Sequence, residues 1–266
     1  IFGVDLRKLI STKPDKRLVV ADLSQIEVRT LCWLAGDSHM MEEIRNSDDI
    51  YEAFAMRFGF WSPDKGVLKN EAPQLRHRVK TMVLGCGYGA FSKRFSEIAG
   101  VSLKEAETMV GKYRSAMQKV VRLWNTYQRK MHTCYNMTER FKIDLPSGRS
   151  LDYGLIKCHL TNGRRSLVSM IARGAKKTPV RLWGGLLTEN ASQALARDVF
   201  SDILLRMEAQ GLKVIFHVHD EVVVEGDKDE ADAVLEKVID IMKTPPDWLP
   251  ELPLDAEGKV ITRYEK

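Results

Sequence analysis

Apolar positions along this chain fall into two periods, and the switch between them marks its elements. KRLVVAD (16–22) is a short apolar run bounded by charge, which predicts a buried strand. SQIEVRTLCWLAG (24–36) changes to helical spacing, with Ser24 and Glu27 matching a capping box and Gly36 closing the helix. DDIYEAFAMRFG (48–59) predicts a second helix. A polar loop with Pro63 and Gly66 follows, and a third helix runs from about Pro73 through Leu84. Amphipathic helices are predicted near 102–118, opened by Ser102 and Glu105, and near 119–137. IDLPSGRSLDY (143–153) reads as a hairpin around Pro-Ser-Gly, and a helix runs from about Glu189 to Gln210. LKVIFHV (212–218) and EVVVE (221–225) are strands. They precede a helix near 228–243, a proline-rich turn and a closing strand, KVITRYEK (259–266). Strands gather at both ends with a long helical insertion between, which predicts an α+β fold rather than regular α/β alternation.

Composition narrows this picture only slightly. The 266 residues are 44% hydrophobic and 29% charged, enough for a large core in one domain or two intimate subdomains. A net charge of +5 permits a polyanionic partner without demanding one. Cys32, Cys86, Cys134 and Cys158 form no C-x-x-C pair, which argues against a zinc site or disulfide framework and for reduced thiols in the cytoplasm. No apolar run approaches the roughly 18 residues of a membrane helix, and no signal peptide opens the chain. The first residue is Ile1, so the chain reads as a fragment or processed piece of something longer.

Candidate chemistry sits at strand ends. Asp22 closes LVVAD just before a helix, where it is either a helix-start residue or a ligand. Asp220 stands 198 positions later in FHVHDEVVVE, at a joint between strands with no glycine or asparagine to turn the chain. That joint is either a solvated hairpin tip or a site. Brought together, the two aspartates could hold a pair of divalent cations about 3.5–4 Å apart. In RHRVKTMVLGCGYG (76–89), Arg76, Lys80, Leu84 and Tyr88 recur every four residues along one helix face. Twelve helical residues span about 18 Å, comparable to a nucleoside triphosphate; the alternative is a solvated basic face. Gly85, Gly87 and Gly89 follow no strand, which argues against a dinucleotide fingerprint. His217 and His219, read as strand residues, would share a face, but nothing nearby completes a zinc site.

DLSQIEVR (22–29), RHRVKTMVLGCGYG (76–89) and HDE (219–221), in that order, resemble motifs A, B and C of the family A DNA polymerases. WLAGD, DIYEAFA, LPSGR, ENASQALARD and HVHDEVVVE are similar to the bacteriophage branch, so the resemblance covers nearly the whole chain. It implies a palm with an antiparallel sheet in residues 1–38 and 143–266, and helical fingers in 39–142. It implies template-directed addition of deoxynucleotides to a primer 3′-hydroxyl with release of pyrophosphate. Asp22 and Asp220 would bind two Mg²⁺ ions, with Mn²⁺ a possible substitute, and Glu221 would be an auxiliary carboxylate. Arg76 and Lys80 would grip the triphosphate, with Leu84, Tyr88, Tyr51 and Gln25 around the nucleotide. Glu27 would crowd the sugar 2′ position and exclude ribonucleotides. His219, Gln193 and Arg29 would lie toward primer–template DNA.

Leu84 stands where an aromatic residue is common in the family, and Tyr51 where many relatives have a histidine. The chain starts just before motif A, so thumb and exonuclease regions are expected to be absent. Without a thumb, DNA binding should be weak and salt-sensitive, and other segments or a processivity factor could be required. The competing readings are a non-catalytic or partner-dependent DNA-binding remnant, and a single-subunit RNA polymerase, which Glu27 disfavours.

Overall fold

The computed structural model describes residues 6–161, 163–173 and 176–264. In chain order, β1 (Lys16–Leu23) leads to α1 (Ile26–Leu34), α2 (Ser38–Arg45) and α3 (Ile50–Arg57). The short α4 (Leu68–Glu71) precedes α5 (Pro73–Cys86), α6 (Ser92–Ala99), α7 (Leu103–Ala116) and α8 (Gln118–Met137). Then come the hairpin β2 (Arg140–Asp144) and β3 (Ser150–Leu155), and the strands β4 (Lys157–Thr161), β5 (Arg164–Arg173) and β6 (Lys176–Arg181). The chain finishes with α9 (Gly184–Ala209), β7 (Val214–Val218), β8 (Glu221–Asp227), α10 (Ala231–Lys243) and β9 (Ala256–Ile261).

The described residues divide into two compact units, one drawn from residues 1–26 and 196–266, the other from 27–195. The first is built on an antiparallel sheet of order β7-β8-β1-β9. α10 covers one face, where Gly258 lets Leu235 approach; a Cβ there would lie 2.7 Å from Leu235 Cδ1. The opposite face carries Leu18, Val20, Val223 and Tyr264, and Asp22 lies on it by the two-residue alternation of β1.

The second unit buries a helical core that includes Phe54, Met82, Phe95 and Tyr113. A smaller core around Phe141, Tyr153 and Leu187 seats the β2–β3 hairpin. Among the described residues, no helix is long and apolar enough to cross a membrane.

This is the expected mixed fold with antiparallel sheets, and the differences are local. Ser102 caps α7 as the pattern implies, its Oγ accepting from Glu105 N at 3.2 Å. The Ser24–Glu27 box differs, because α1 begins at Ile26 and Gln25 intervenes with φ 49, outside the helical region. α2 and α6 are too short for their period to stand out, α6 burying only Phe95. α9 starts at Gly184 rather than near Glu189, since the two glycines that suggest a break are demanded by packing. The β4-β5-β6 sheet is too polar to alternate visibly. The closing strand spans 256–261 rather than 259–266, whose last two residues lie outside the described ones.

Candidate active site

The sheet unit assembles carboxylates. Asp22 is opposed in register by Glu221 of β8 on one side and by Glu257 of β9 on the other. Directly opposed residues of antiparallel strands share a face, so three acidic residues form a row across β8, β1 and β9. Like charges so placed destabilise a sheet. Asp220 immediately precedes Glu221 in a two-residue turn, and its carbonyl oxygen accepts from Leu23 N at 3.2 Å. The end of β1 is thereby tied to the turn between β7 and β8.

That turn is strained. His219 is its first central residue and has φ 56, a left-handed conformation for which such turns normally use glycine. Gln25, three residues beyond Asp22, has φ 49. The third described non-glycine residue of this kind, Thr138, is the ordinary left-handed cap of α8. Backbone cost of this kind clusters at functional sites. His219 is exposed, and because it lies in the turn it does not share a strand face with His217. The His217 ring instead packs edge-on against Phe200 at 5.5 Å.

Glu221 is only 5% exposed, and its Oε1 accepts a hydrogen bond from the buried Tyr264 hydroxyl. The Tyr264 ring rests edge-on against Phe216 at 5.2 Å. Glu221 is therefore clamped, whereas Asp22 and Asp220 are half-buried. Among the described residues, no group of three or more His, Cys, Asp or Glu side chains is placed to hold a metal ion. The donor set nevertheless suits Mg²⁺, which takes hard oxygen ligands, few of them from protein, and keeps positions for water and phosphate.

The helical unit assembles cations. Arg76, Lys80 and Leu84 share a face of α5, but the helix ends at Cys86. Tyr88 follows in a turn, its N–H donating to Gly85 O at 3.3 Å. Arg76 is held side-on by Asp49, with Nε donating to Oδ2 at 2.5 Å and Nη2 to Oδ1 at 3.2 Å. Asp49 is itself fixed as the N-cap of α3, its Oδ1 accepting from Tyr51 N at 3.0 Å. Such a pairing occupies one edge of the guanidinium and leaves the Nη1 edge to an oxyanion. The Tyr51 ring lies under both cations, 5.2 Å from Arg76 Cζ and 5.8 Å from Lys80 Nζ. Burial pushes the Tyr51 phenol up to about 12, so the ring stays neutral.

A polar knot joins α1, α9 and the end of α5. Ser192 Oγ donates to Glu27 O at 3.0 Å, lies 2.8 Å from Thr30 Oγ1 and accepts from the Tyr88 hydroxyl at 3.3 Å. Gln193, exposed on α9, donates from Nε2 to Glu27 Oε1 at 3.4 Å. Arg29 is 4% exposed, so it stands behind this surface rather than on it. Backbones approach closely here: a Cβ on Gly184 would lie 2.2 Å from Trp124 O, and one on Gly185 2.2 Å from Tyr88 O. Leu84, Tyr88, Phe91, Trp124 and Trp183 line an open cleft of about 960 Å³ in this unit.

Sequence reasoning missed Asp49, Ser192, Tyr264, Glu257 and the glycine pair. Only Asp49 left a clear signal, an aspartate just ahead of an apolar helix.

Comparison with known proteins gives one answer throughout. Residues 2–143 match the model of DNA polymerase family A. The chain is 30% identical over 267 residues to the DNA polymerase of Bacillus phage SP02, covering 93% of this chain and 41% of that protein. It is 27% identical over 260 residues to the thermostable DNA polymerase I of Thermus filiformis, covering 96% of this chain and 28% of that protein. The chain thus spans less than half the length of either relative. A solved structure titled as the POL domain of Pol1 from M. smegmatis in complex with DNA primer-template and dNTP superposes with a TM-score of 0.66. It has 19% identity, over 97% of this chain and 42% of that one, a likeness of fold.

Proposed function

The chain belongs to DNA polymerase family A, and from that premise we propose that it carries out template-directed addition of deoxynucleotides to a primer 3′-hydroxyl. The observation that carries the proposal is the acidic row: Asp22 set between Glu221 and Glu257, with Asp220 in the adjoining strained turn. On this reading the palm is residues 1–38 and 143–266, which include the whole sheet unit, and the fingers are 39–142.

Family A polymerases generally use divalent metal ions, and Asp22 and Asp220 are the residues that would hold them here. When bound, Mg²⁺ supplies positive charge that acidifies the attacking hydroxyl and stabilises the leaving pyrophosphate. Glu221, clamped by Tyr264, adds negative charge without leaving the sheet, and His219 is offered to the primer end. Arg76 presents its Nη1 edge, and Lys80 a compact ammonium, to triphosphate oxygens. Leu84, Tyr88, Tyr51 and Gln25 shape the surroundings of the nucleotide. Gln193 reaches DNA from α9, and Arg29 supports α1 from behind. Catalysis on this account comes chiefly from positioning and fixed charge.

Asp49 gives the first test. Asn keeps the helix cap but loses the charged side-on pair. Asp49→Asn is expected to raise KM for deoxynucleotides about 3- to 10-fold, with kcat and melting temperature nearly unchanged, in steady-state primer extension and a thermal melt. A second test concerns the sugar. Glu27→Ala is expected to raise the ratio of ribonucleotide to deoxynucleotide insertion by roughly 10- to 200-fold, the range typical of a steric pocket. Single-nucleotide insertion with matched ribo- and deoxynucleotides measures it; an unchanged ratio removes Glu27 from sugar selection.

A further inference from the structure

We propose that the β4-β5-β6 sheet is a docking surface for the DNA phosphate backbone, a role resting on the polymerase reading above but carried by different residues. Between Lys157 and Arg181 the sequence has seven Lys and Arg and no Asp or Glu. The segment is therefore +7, while the whole chain is +5, so everything else sums to −2. The positive balance of the protein belongs to this one sheet.

Two structural facts turn a charge count into a surface. The sheet is anchored at its root, where Val168 and Ser169 are buried, Leu167 packs on the core around Phe141, and Ser169 Oγ donates to Tyr153 O at 2.7 Å. Beyond the root it is open: Lys157, Arg165, Lys176, Lys177 and Arg181 are all exposed. Elsewhere several cations pair with carboxylates, as in Lys16–Asp227, Arg57–Glu43, Arg76–Asp49, Arg140–Asp152 and Arg206–Asp202. Among the described residues, none of those five sheet cations has a carboxylate within ion-pair distance.

Register arranges them. Lys157 and Arg181 both oppose Val168, from β4 and β6, and so lie on one face about 10 Å apart across three strands. Lys177, four residues before Arg181, falls on the same face roughly 13 Å along β6. Arg165 and Lys176 fall on the other. The three positions on one face span the scale of a few phosphates of a nucleic-acid strand. No Phe, Tyr or Trp lies within 157–181 to stack on bases, so the surface chiefly reads backbone charge. A polyanion is the partner such a surface fits, and for a member of DNA polymerase family A that polyanion is DNA.

The experiment is the salt dependence of binding to a labelled primer–template, read by fluorescence anisotropy. Each phosphate-neutralising cation contributes about 0.9 to the slope of log K against log salt. The variant K157Q/K177Q/R181Q is expected to flatten that slope by about 2 to 3, and K157R/K177R to leave it unchanged. A three-site variant with wild-type slope overturns the proposal. Should that variant misfold, the wild-type protein still decides: DNA must protect Lys157 and Lys177 from acetylation while leaving Lys65 and Lys69 reactive. Equal reactivity at all four overturns it. The two readings separate cleanly. Wild-type protein that extends a primer while the variant's slope is unchanged defeats the sheet alone. A flattened slope in a protein that extends nothing defeats the catalytic reading alone.

Discussion

Asp220→Ala protein is expected to fold normally and to extend a primer at least about 10³-fold more slowly than wild type. Asp220 is half-buried in a two-residue turn, and its φ is not in the left-handed region, so alanine fits the backbone. What the substitution removes is one of the two carboxylates proposed to hold Mg²⁺. Loss of bound cation charge at developing negative charge is worth several kcal/mol, and each 1.36 kcal/mol is tenfold in rate. Stability should move the other way or not at all. Asp220 precedes Glu221, which directly opposes Asp22, and taking a charge out of this acidic end of the sheet relieves repulsion. A melting temperature equal to or above wild type, with activity lost, is the signature of a group kept for function at the expense of stability. A large fall in melting temperature would instead make Asp220 a structural residue of the turn.

Gly185→Ala is expected to be among the most destabilising single changes in the helical unit. Its Cβ would stand 2.2 Å from the carbonyl oxygen of Tyr88, a contact that backbone must move to relieve. Overpacking costs about 1–3 kcal/mol where side chains can yield, and more where only backbone can. Taking 3 kcal/mol, the melting temperature should fall by about 6–12 °C. The displacement falls on the turn that carries Tyr88, so nucleotide binding should weaken as well. Gly111→Ala is the control. It lies inside α7 with nothing within 4 Å of its Cβ, so alanine should stabilise that helix by up to about 1 kcal/mol. Thermal melts of the two variants side by side separate close approach from a general intolerance of substitution.

The elements were legible where period and punctuation agreed. Apolar LVVA fixed β1, Pro73 opened α5, and Ser102 with Glu105 opened α7, because capping and binary pattern are local physics. The β7–β8 hairpin was legible for the opposite reason: strand-forming runs met at a joint whose residues suit no easy turn, and the left-handed His219 is that conflict made structural. What joins Asp22 to Asp220 was not legible from spacing. Strand order and register across 198 residues are properties of the folded sheet, and the resemblance to known motifs supplied what periodicity could not. Glu257 was hidden further, since β9 begins three residues before its apolar pattern does. Asp49 was visible as a helix start but not as the carboxylate that holds Arg76, because that pairing depends on how α3 and α5 meet. The β4-β5-β6 sheet was missed because cations interrupt its alternation, and those same cations carry its proposed role.

The central claim is that Asp22 and Asp220 serve template-directed synthesis, and single-nucleotide insertion on a primer–template tests it most directly. The wild-type protein would be given Mg²⁺ and each deoxynucleotide in turn, then the same mixture with the metal chelated. The account expects insertion of the deoxynucleotide complementary to the template base, far slower insertion of the other three, and none after chelation. Insertion that ignores the template, or that persists without divalent metal, would contradict it.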